Sequence, residues 1–293
     1  MAAQNEGRKY AVVGKRPVRH DGIEKVTGGA QYGADMRLPG LLYGKVLRSP
    51  HAHARIRSID TRRASAYLAG AAVVTSEDLP PSVPVDQSVV LGQTPSQNIL
   101  ANGKVLYKGH PVAAVAANSP HVAAEALALI EVVYEPLPHV TNVEEAMKSG
   151  APILHEHWVD GKVFGDESAN PTNIATRDQY VLGDPEGGFR DADLVLEREF
   201  RTKSVHQGYI EPQNATAWWA PDGRLTIWCS SQGHFGIRDN TARILGVPVD
   251  QVKVVPMEIG GGFGGKLAVY LEPIAAILSR QNGRPVKMTM DRT

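Results

Sequence analysis

Five glycines fall within six consecutive positions near the end of the chain, at residues 260–265, and Lys266 follows them. Phe263 is the sole side chain of any size among the six. Backbone that carries so few side chains can bring its N–H groups close to an anion or to a polar atom of a cofactor. We call residues 260–266 the glycine segment, and it is the strongest candidate for chemistry in the sequence.

Two other interpretations of the glycine segment are open at this point. Gly260, Gly262 and Gly265 match the GxGxxG spacing of dinucleotide-binding folds, and Asp291 ends the next predicted strand, where a ribose-binding acid would lie. Asp291 follows Gly260 by 31 residues, however, which is farther than the roughly 20 residues of that fingerprint. Alternatively, the glycines only permit a tight turn.

Two further polar residues stand where a site could form. Gln232 follows a predicted strand, and an amide there can donate an N–H to an oxo or carbonyl oxygen. A loop glutamine is more often simply solvated. Glu211 is held extended by Pro212 and is either an acid or base or a structural carboxylate that accepts backbone N–H groups. The structural interpretation is favoured.

The histidines and the single cysteine are weaker candidates. His51 and His53 lie on one side of a predicted strand, and His155 and His157 repeat the spacing. Without a third ligand at recognisable spacing, hydrogen-bonding or solvent-facing roles are favoured over a metal site. Cys229 lies in a buried-strand pattern with no local base, so we interpret it as a packing residue.

The composition limits the class of protein. Hydrophobic residues make up 42% and charged residues 21%, which allows a sizeable core and argues against global disorder. The 31 basic and 31 acidic residues balance, so no nucleic-acid partner is expected. One cysteine excludes an intrachain disulfide and an iron–sulfur cluster held by this chain alone. No apolar run predicts a signal peptide or a membrane span, so a cytoplasmic location is expected.

Periodicity predicts a mixture of helices and strands in two compact regions. We assign residues 1–20 to an N-terminal arm, 21–145 to the first region, 146–178 to a linker and 179–293 to the second region. In the first region, a strand–helix–strand unit spans residues 112–134, with Ser119 as the helix cap and Pro120 as the first helical residue. In the second region, helices are predicted at 235–245 and 269–280, and strands at 194–200, 216–220, 225–229, 252–255 and 286–290.

Short motifs in a fixed order resemble one family from about residue 15 onward. They are DGIEKVTG at 21–28, RSPHAHA at 48–54, GHPVA at 109–113, VYEPLP at 133–138, Glu211-Pro212, Ser231-Gln232, IGGGFGGK at 259–266, and GRPV at 283–286 with Asp291-Arg292. Together they resemble the large, molybdenum-binding subunit of molybdenum hydroxylases of the xanthine dehydrogenase and aldehyde oxidase type. No single motif is specific, but their number and order make chance agreement implausible.

The resemblance implies an α+β fold and a cofactor. An N-terminal α/β hammerhead domain would be followed by the first part of a mixed α/β molybdenum-cofactor-binding domain. The cofactor would be molybdenum–molybdopterin in its cytosine dinucleotide form. Its site would comprise Gln232, Gly261, Gly262, Phe263 and Gly264, with Gln232 and Phe263 near the molybdenum and no direct metal ligand in the chain.

The resemblance also implies a reaction, a substrate pocket and partners. Water-derived oxygen would oxidise an aldehyde, an N-heterocycle, an aromatic acyl-CoA or a similar small molecule, and electrons would pass to Fe–S and FAD subunits. Leu267 would line the substrate pocket. Purine-oxidising relatives have a glutamate at that position, so xanthine is disfavoured as a substrate. The family's catalytic glutamate is expected beyond Thr293, so we expect no catalytic residue in this chain.

Three expectations follow for the assembled protein. A further chain would complete the cofactor domain, and this chain would be inactive alone. The strand at 286–290 and the preceding helix would expose apolar surface until that partner binds. A non-catalytic scaffold of the same family is the main alternative, and a NAD-binding domain is a lesser one.

Overall fold

The computed structural model describes residues 10–81, 99–156, 172–174 and 179–292, and the strands in these ranges form two β-sheets. The strands are β1 (Leu42–Arg48), β2 (Ala54–Asp60), β3 (Val73–Thr75), β4 (Lys104–Val105), β5 (Pro111–Ala117), β6 (Glu131–Pro136), β7 (Asn214–Trp219), β8 (Leu225–Cys229), β9 (Val252–Pro256) and β10 (Val286–Thr289). The helices are α1 (Gly22–Thr27), α2 (Arg62–Tyr67), α3 (Pro120–Ala128), α4 (Val143–Ala146), α5 (Pro185–Asp191), α6 (His234–Leu245) and α7 (Glu272–Asn282).

The larger sheet joins the two halves of the chain. Its seven strands lie in the order β3-β5-β1-β10-β7-β8-β9. The last strand in sequence, β10, lies between β1 and β7, parallel to β1 and antiparallel to β7. Met288 pairs with Gly44 of β1, where an added Cβ would lie 2.6 Å from Met288 Cγ. Only glycine therefore allows the close approach of these two strands.

The first half of the chain also forms a smaller sheet, and helix α3 packs on β5. Strands β4, β2 and β6 form an antiparallel sheet in that order. Every residue of β5 is buried, because alternate side chains face two different clusters. Ala113 and Val115 pack with Ala123 and Ala126 of α3, whereas Ala114 contributes to the main core.

The main core contains residues from both halves of the chain. Helix α7 packs on β7 and β10, and Ile274 and Leu278 are fully buried there. Leu42 of β1, Met288 of β10 and Leu225 of β8 belong to the same cluster. One continuous core therefore holds the sheet beneath the loop that carries the glycine segment.

Most of the predicted elements are present, and the fold class is confirmed. Helix α3 begins at Pro120, and Ser119 Oγ accepts the Val122 N–H at 3.2 Å. The hairpin of β7 and β8 also forms, with its turn at residues 221–223. None of the helices in the described ranges is long and apolar enough to cross a bilayer. Parts of the predicted arm and linker, including His157, lie outside the described residues.

Two predictions were wrong. Residues 194–200 form no strand, because none of the described residues offers a backbone partner to this segment. Conversely, β10 and α7 are not uncovered: Val286 and Met288 are at most 1% exposed. Strand β1 from the first half of the chain covers the edge of β10 that the prediction left open.

Candidate functional site

The glycine segment lies in a loop between the end of β9 at Pro256 and the start of α7 at Glu272. Gly261, Phe263 and Gly264 have φ values of 95°, 49° and 87°. Left-handed backbone suits glycine and costs a residue such as Phe263 about 1–2 kcal/mol. Successive N–H groups in such conformations form concave surfaces that bind anions.

The N–H groups of the segment divide into two sets. Those of Gly264 and Lys266 donate to Gln232 Oε1 at 3.0 and 3.3 Å. The Gly260 N–H donates to Glu211 Oε2, and the Gly265 N–H donates to the Gly262 carbonyl. In the described part of the chain, the N–H groups of residues 261–263 have no acceptor. Three consecutive donors are therefore available to a ligand.

Gln232 lies three residues after the end of β8 and is fixed by the glycine segment. Its backbone N–H donates to the Lys266 carbonyl at 2.9 Å, and its side-chain oxygen accepts the two N–H groups described above. The amide nitrogen has no acceptor among the described residues, and the side chain is exposed. A Cβ at Gly262 would lie 2.6 Å from Gln232 Cδ, so the amide needs glycine at that position.

Exposed apolar side chains accompany these donors. Phe263 is 71% exposed within the segment, and Leu267 follows it at 57%. Phe235 in the first turn of α6 is 75% exposed and lies under the Arg238 guanidinium, 5.1 Å from the ring centroid. The sequence predicted the helix but not the exposure of Phe235, because periodicity alone does not show what covers a first turn.

A buried ion pair lies beneath the glycine segment. Lys266 Nζ is 2.6 Å from Glu211 Oε2, and the Lys266 side chain is fully buried. Glu211 also accepts the Gly260 N–H at 2.7 Å and the Asn214 amide N–H at 3.0 Å. Glu211 is thus the structural carboxylate that the sequence favoured. Sequence reasoning missed its pairing with Lys266, since no local pattern connects two residues 55 positions apart.

Residues near the start of the chain contact the residues that lead into the glycine segment. Glu258 forms an ion pair with Lys25 of α1, and Lys25 also contacts Asp21 at 3.2 Å. The Glu258 N–H donates to the Gln31 carbonyl at 3.0 Å. These contacts hold Glu258, just after the end of β9, against the N-terminal region.

The contacts of His51, His53 and Cys229 indicate roles in packing and hydrogen bonding. His53 Nδ1 contacts the Pro138 carbonyl at 2.7 Å, and the His51 ring packs edge-on against Tyr134. Within the described residues, no group of three potential metal ligands occurs. Cys229 lies in the core, where burial raises the pKa of its thiol and keeps it protonated.

The geometry also argues against dinucleotide binding. That fingerprint requires the glycine loop to run directly into a helix N-terminus. Here α7 begins at Glu272, well after Gly265, and the preceding strand β9 lies at the edge of a mixed sheet. The NAD-binding alternative was therefore wrong about the structural context that it requires.

The residues present fit an anionic cofactor with polar metal-bound atoms. Three free backbone donors lie beside a free amide donor at Gln232, and Gly262 leaves the space that this amide occupies. Gln232, Gly261, Gly262, Phe263 and Gly264 are thus brought together, and Leu267 follows directly in sequence.

Comparison with known proteins identifies the family. Residues 27–138 match the family described as "Aldehyde oxidase and xanthine dehydrogenase, a/b hammerhead domain", and residues 166–293 match "Molybdopterin cofactor-binding domain". The two matches lie in the order that the motifs predicted. The chain belongs to the xanthine dehydrogenase and aldehyde oxidase family of molybdenum-dependent oxidoreductases.

Its relatives include large subunits of two dehydrogenases. The chain is 36% identical to the carbon monoxide dehydrogenase large chain of Afipia carboxidovorans, over 97% of this chain and 35% of the relative. It is 32% identical to the nicotinate dehydrogenase large molybdopterin subunit of Eubacterium barkeri, over 98% of this chain and 63% of the relative. A probable xanthine dehydrogenase subunit of Bacillus subtilis is 36% identical, over 94% of this chain and 34% of the relative. The chain thus spans between about a third and two thirds of the length of these relatives.

Solved structures agree with the fold. Quinoline 2-oxidoreductase from Pseudomonas putida superposes with a TM-score of 0.81 at 31% identity, over 95% of this chain and 34% of that one. The Cu,Mo-CO dehydrogenase in its carbon monoxide reduced state gives a TM-score of 0.80 at 34% identity, over 95% of this chain and 35% of that one.

Proposed function

We propose that this chain forms one face of the cofactor site of a molybdenum hydroxylase. The cofactor is molybdenum–molybdopterin in its cytosine dinucleotide form. When bound, it supplies the two-electron redox chemistry by which water-derived oxygen is added to the substrate. The chain's own residues bind and orient this group and do not ligate the metal directly.

One observation carries the proposal. Gln232 Oε1 is occupied by the Gly264 and Lys266 N–H groups, so the amide nitrogen is left as an oriented donor beside the free N–H groups of residues 261–263. Preorganised donors of this kind stabilise negative charge on a ligand without reorganisation. The match to a molybdopterin cofactor-binding domain supports the same ligand chemistry.

The catalytic base lies outside residues 1–293 under this proposal. Glu211 is the carboxylate in contact with the glycine segment, and it is paired with Lys266 and accepts two further N–H groups. A carboxylate committed in this way is poorly suited to accept a proton from a substrate. It therefore cannot replace the glutamate that we expect beyond Thr293.

The substrate is a small molecule that meets an apolar pocket wall. Leu267 offers no hydrogen bond, so it favours an aldehyde, an N-heterocycle or an aromatic acyl-CoA over a purine such as xanthine. Phe263, four residues before Leu267, adds exposed aromatic surface. Comparing the substrates oxidised by the wild type and by a Leu267→Glu variant would test this assignment of the pocket.

The partners are a chain or segment that completes the cofactor domain, together with Fe–S and FAD subunits in the cytoplasm. Residues 192–207 support the first partner. Among the described residues they make no backbone-to-backbone hydrogen bond, yet Leu194, Leu196, Phe200 and Val205 are each at least 69% exposed. A segment with exposed apolar side chains and no backbone pairing is suited to pairing with a strand of another polypeptide. The polypeptide that corresponds to the remaining length of the relatives is the proposed occupant.

The test is molybdenum content and subunit composition of the complex isolated through this chain. Near-stoichiometric molybdenum with co-purifying subunits is the expected result. A complex without molybdenum would contradict the proposal and favour the non-catalytic scaffold. Activity that survives Gln232→Ala in a molybdenum-loaded complex would contradict the role of that amide.

A further inference from the structure

The Glu211–Lys266 ion pair is almost completely buried. The Lys266 side chain is 0% exposed and that of Glu211 is 10% exposed. Taking two charges out of water is costly, and such a pair persists only when its remaining hydrogen bonds are satisfied. Lys266 Nζ also contacts Ser230 Oγ at 3.3 Å and lies 5.1 Å from the centroid of the Tyr209 ring.

The pair joins the two ends of the glycine segment. Glu211 Oε2 accepts the N–H of Gly260, the first residue, and the ammonium of Lys266, the last residue, at 2.7 and 2.6 Å. The Glu211 N–H donates back to the Gly260 carbonyl at 3.3 Å. One carboxylate therefore closes the segment into a ring.

The closed ring also controls the direction of Gln232. The Lys266 backbone accepts the Gln232 N–H at 2.9 Å and donates its own N–H to Gln232 Oε1 at 3.3 Å. Any shift of the Lys266 backbone therefore turns the amide. We propose that the Glu211–Lys266 pair is a positioning device that aims the Gln232 amide and the free loop N–H groups at the cofactor. This inference rests on the proposed function.

The experiment uses the assembled complex and compares Glu211→Gln, Lys266→Met and the double variant. Each single change leaves one buried charge unpaired and is expected to lower the melting temperature. The double variant removes both charges, and its glutamine keeps an acceptor for the Gly260 N–H. It is therefore expected to melt near the wild type and keeps the test valid if the single variants fail to fold.

Two readouts report positioning. Amide hydrogen exchange at residues 260–266 is expected to accelerate in the double variant, and molybdenum is expected to be lost about tenfold faster on dialysis. Ser279→Ala is the matched control, because it removes the hydrogen bond that Ser279 Oγ accepts from the Trp219 N–H, and neither residue is hydrogen-bonded to the glycine segment in the described part of the chain. The control is expected to lower stability without changing either readout.

A double-mutant cycle tests the route through Gln232. In a Gln232→Ala background, removing the pair is expected to produce a smaller further loss of molybdenum than in the wild type, because only the loop N–H groups remain to be misplaced. Additive losses would overturn the inference, as would wild-type exchange and retention in the double variant.

The outcomes separate this inference from the proposed function. A wild-type complex without molybdenum would contradict the proposed function, and hydrogen exchange would still decide whether the pair orders the segment. A molybdenum-loaded wild type with unchanged exchange and retention in the double variant would contradict the positioning role alone.

Discussion

Gln232 combines two tasks in one side chain, because its oxygen orders the glycine segment and its nitrogen remains a donor. The two tasks can be separated by substitution. A glutamate at this position keeps acceptor oxygens for the Gly264 and Lys266 N–H groups but has no N–H to donate. An alanine removes both functions.

We therefore predict that Gln232→Glu lowers kcat by about 10²- to 10³-fold while the melting temperature stays close to that of the wild type. Gln232→Ala is expected to lower both quantities, because the two loop N–H groups lose their acceptor. Steady-state kinetics and thermal unfolding of the assembled complex provide the measurement. Wild-type activity of the Gln232→Glu complex would contradict the proposed role of the amide as a donor.

Glu272 at the start of α7 predicts a pH dependence of stability. Its side chain is buried, and this burial raises the pKa of the carboxyl group, while N–H donors including that of Tyr270 oppose the shift more weakly. A carboxyl pKa that is higher in the folded state means that stability is lost as pH rises from the unfolded value through the folded value. Each unit of difference corresponds to about 1.4 kcal/mol.

Glu272→Gln is thus expected to remove this loss of stability. The variant should therefore gain stability relative to the wild type as the pH rises from acidic to neutral. Glutamine keeps an acceptor for the Tyr270 N–H at nearly the same size. Denaturant unfolding across the acidic to neutral range measures the slope. Identical slopes for the variant and the wild type would show that Glu272 does not titrate differently on folding.

At the scale of elements, the glycine segment depends on glycine for two separate reasons. Gly262 needs space, because a Cβ there would lie 2.6 Å from Gln232 Cδ. Gly264 has open space around a Cβ but has a φ of 87°, so its requirement is conformational. Substitution at each position therefore has a different expected consequence.

Gly262→Ala is expected to displace the Gln232 amide and to lower activity and molybdenum retention about tenfold or more. Gly264→Ala is expected to cost about 1–2 kcal/mol of loop strain with a smaller effect on the amide. Gly188→Ala in α5 is the control, since a Cβ there has nothing within 4 Å and the backbone is helical. Equal losses at positions 262 and 264 would contradict the steric argument.

At the scale of the whole molecule, the strands of the seven-stranded sheet are paired within the chain, whereas the exposed segment at residues 192–207 is not paired with any described part of it. The sheet needs β10 between β1 and β7, so the two halves of the chain are held together by a shared core. The exposed segment has no such partner among the described residues. Association is therefore expected to involve the segment and not β10.

Phe200→Asp is predicted to reduce recovery of the completing polypeptide with this chain while leaving the melting temperature unchanged. The Phe200 side chain is 89% exposed, so the change removes apolar contact area only from a surface that a partner would cover. Val13→Asp, at a side chain 70% exposed, is the control and is expected to leave recovery unchanged. Equal recovery for both variants in quantitative pull-down would exclude this segment as the docking surface.

The sequence by itself determined the local elements and the family. Ser119 and Pro120 begin α3, and the turn at residues 221–223 closes the hairpin, because caps and turns depend on neighbouring residues. The ordered motifs identified the cofactor-binding family before any contact was known.

Only the tertiary structure decided the long-range pairings. It brought β10 beside β1, Lys25 beside Glu258, and Lys266 beside Glu211 beneath the glycine segment. It also left residues 194–200 without a strand partner among the described residues. Such pairings depend on packing and on the satisfaction of buried charges between residues far apart in the chain, and neither periodicity nor spacing contains that information.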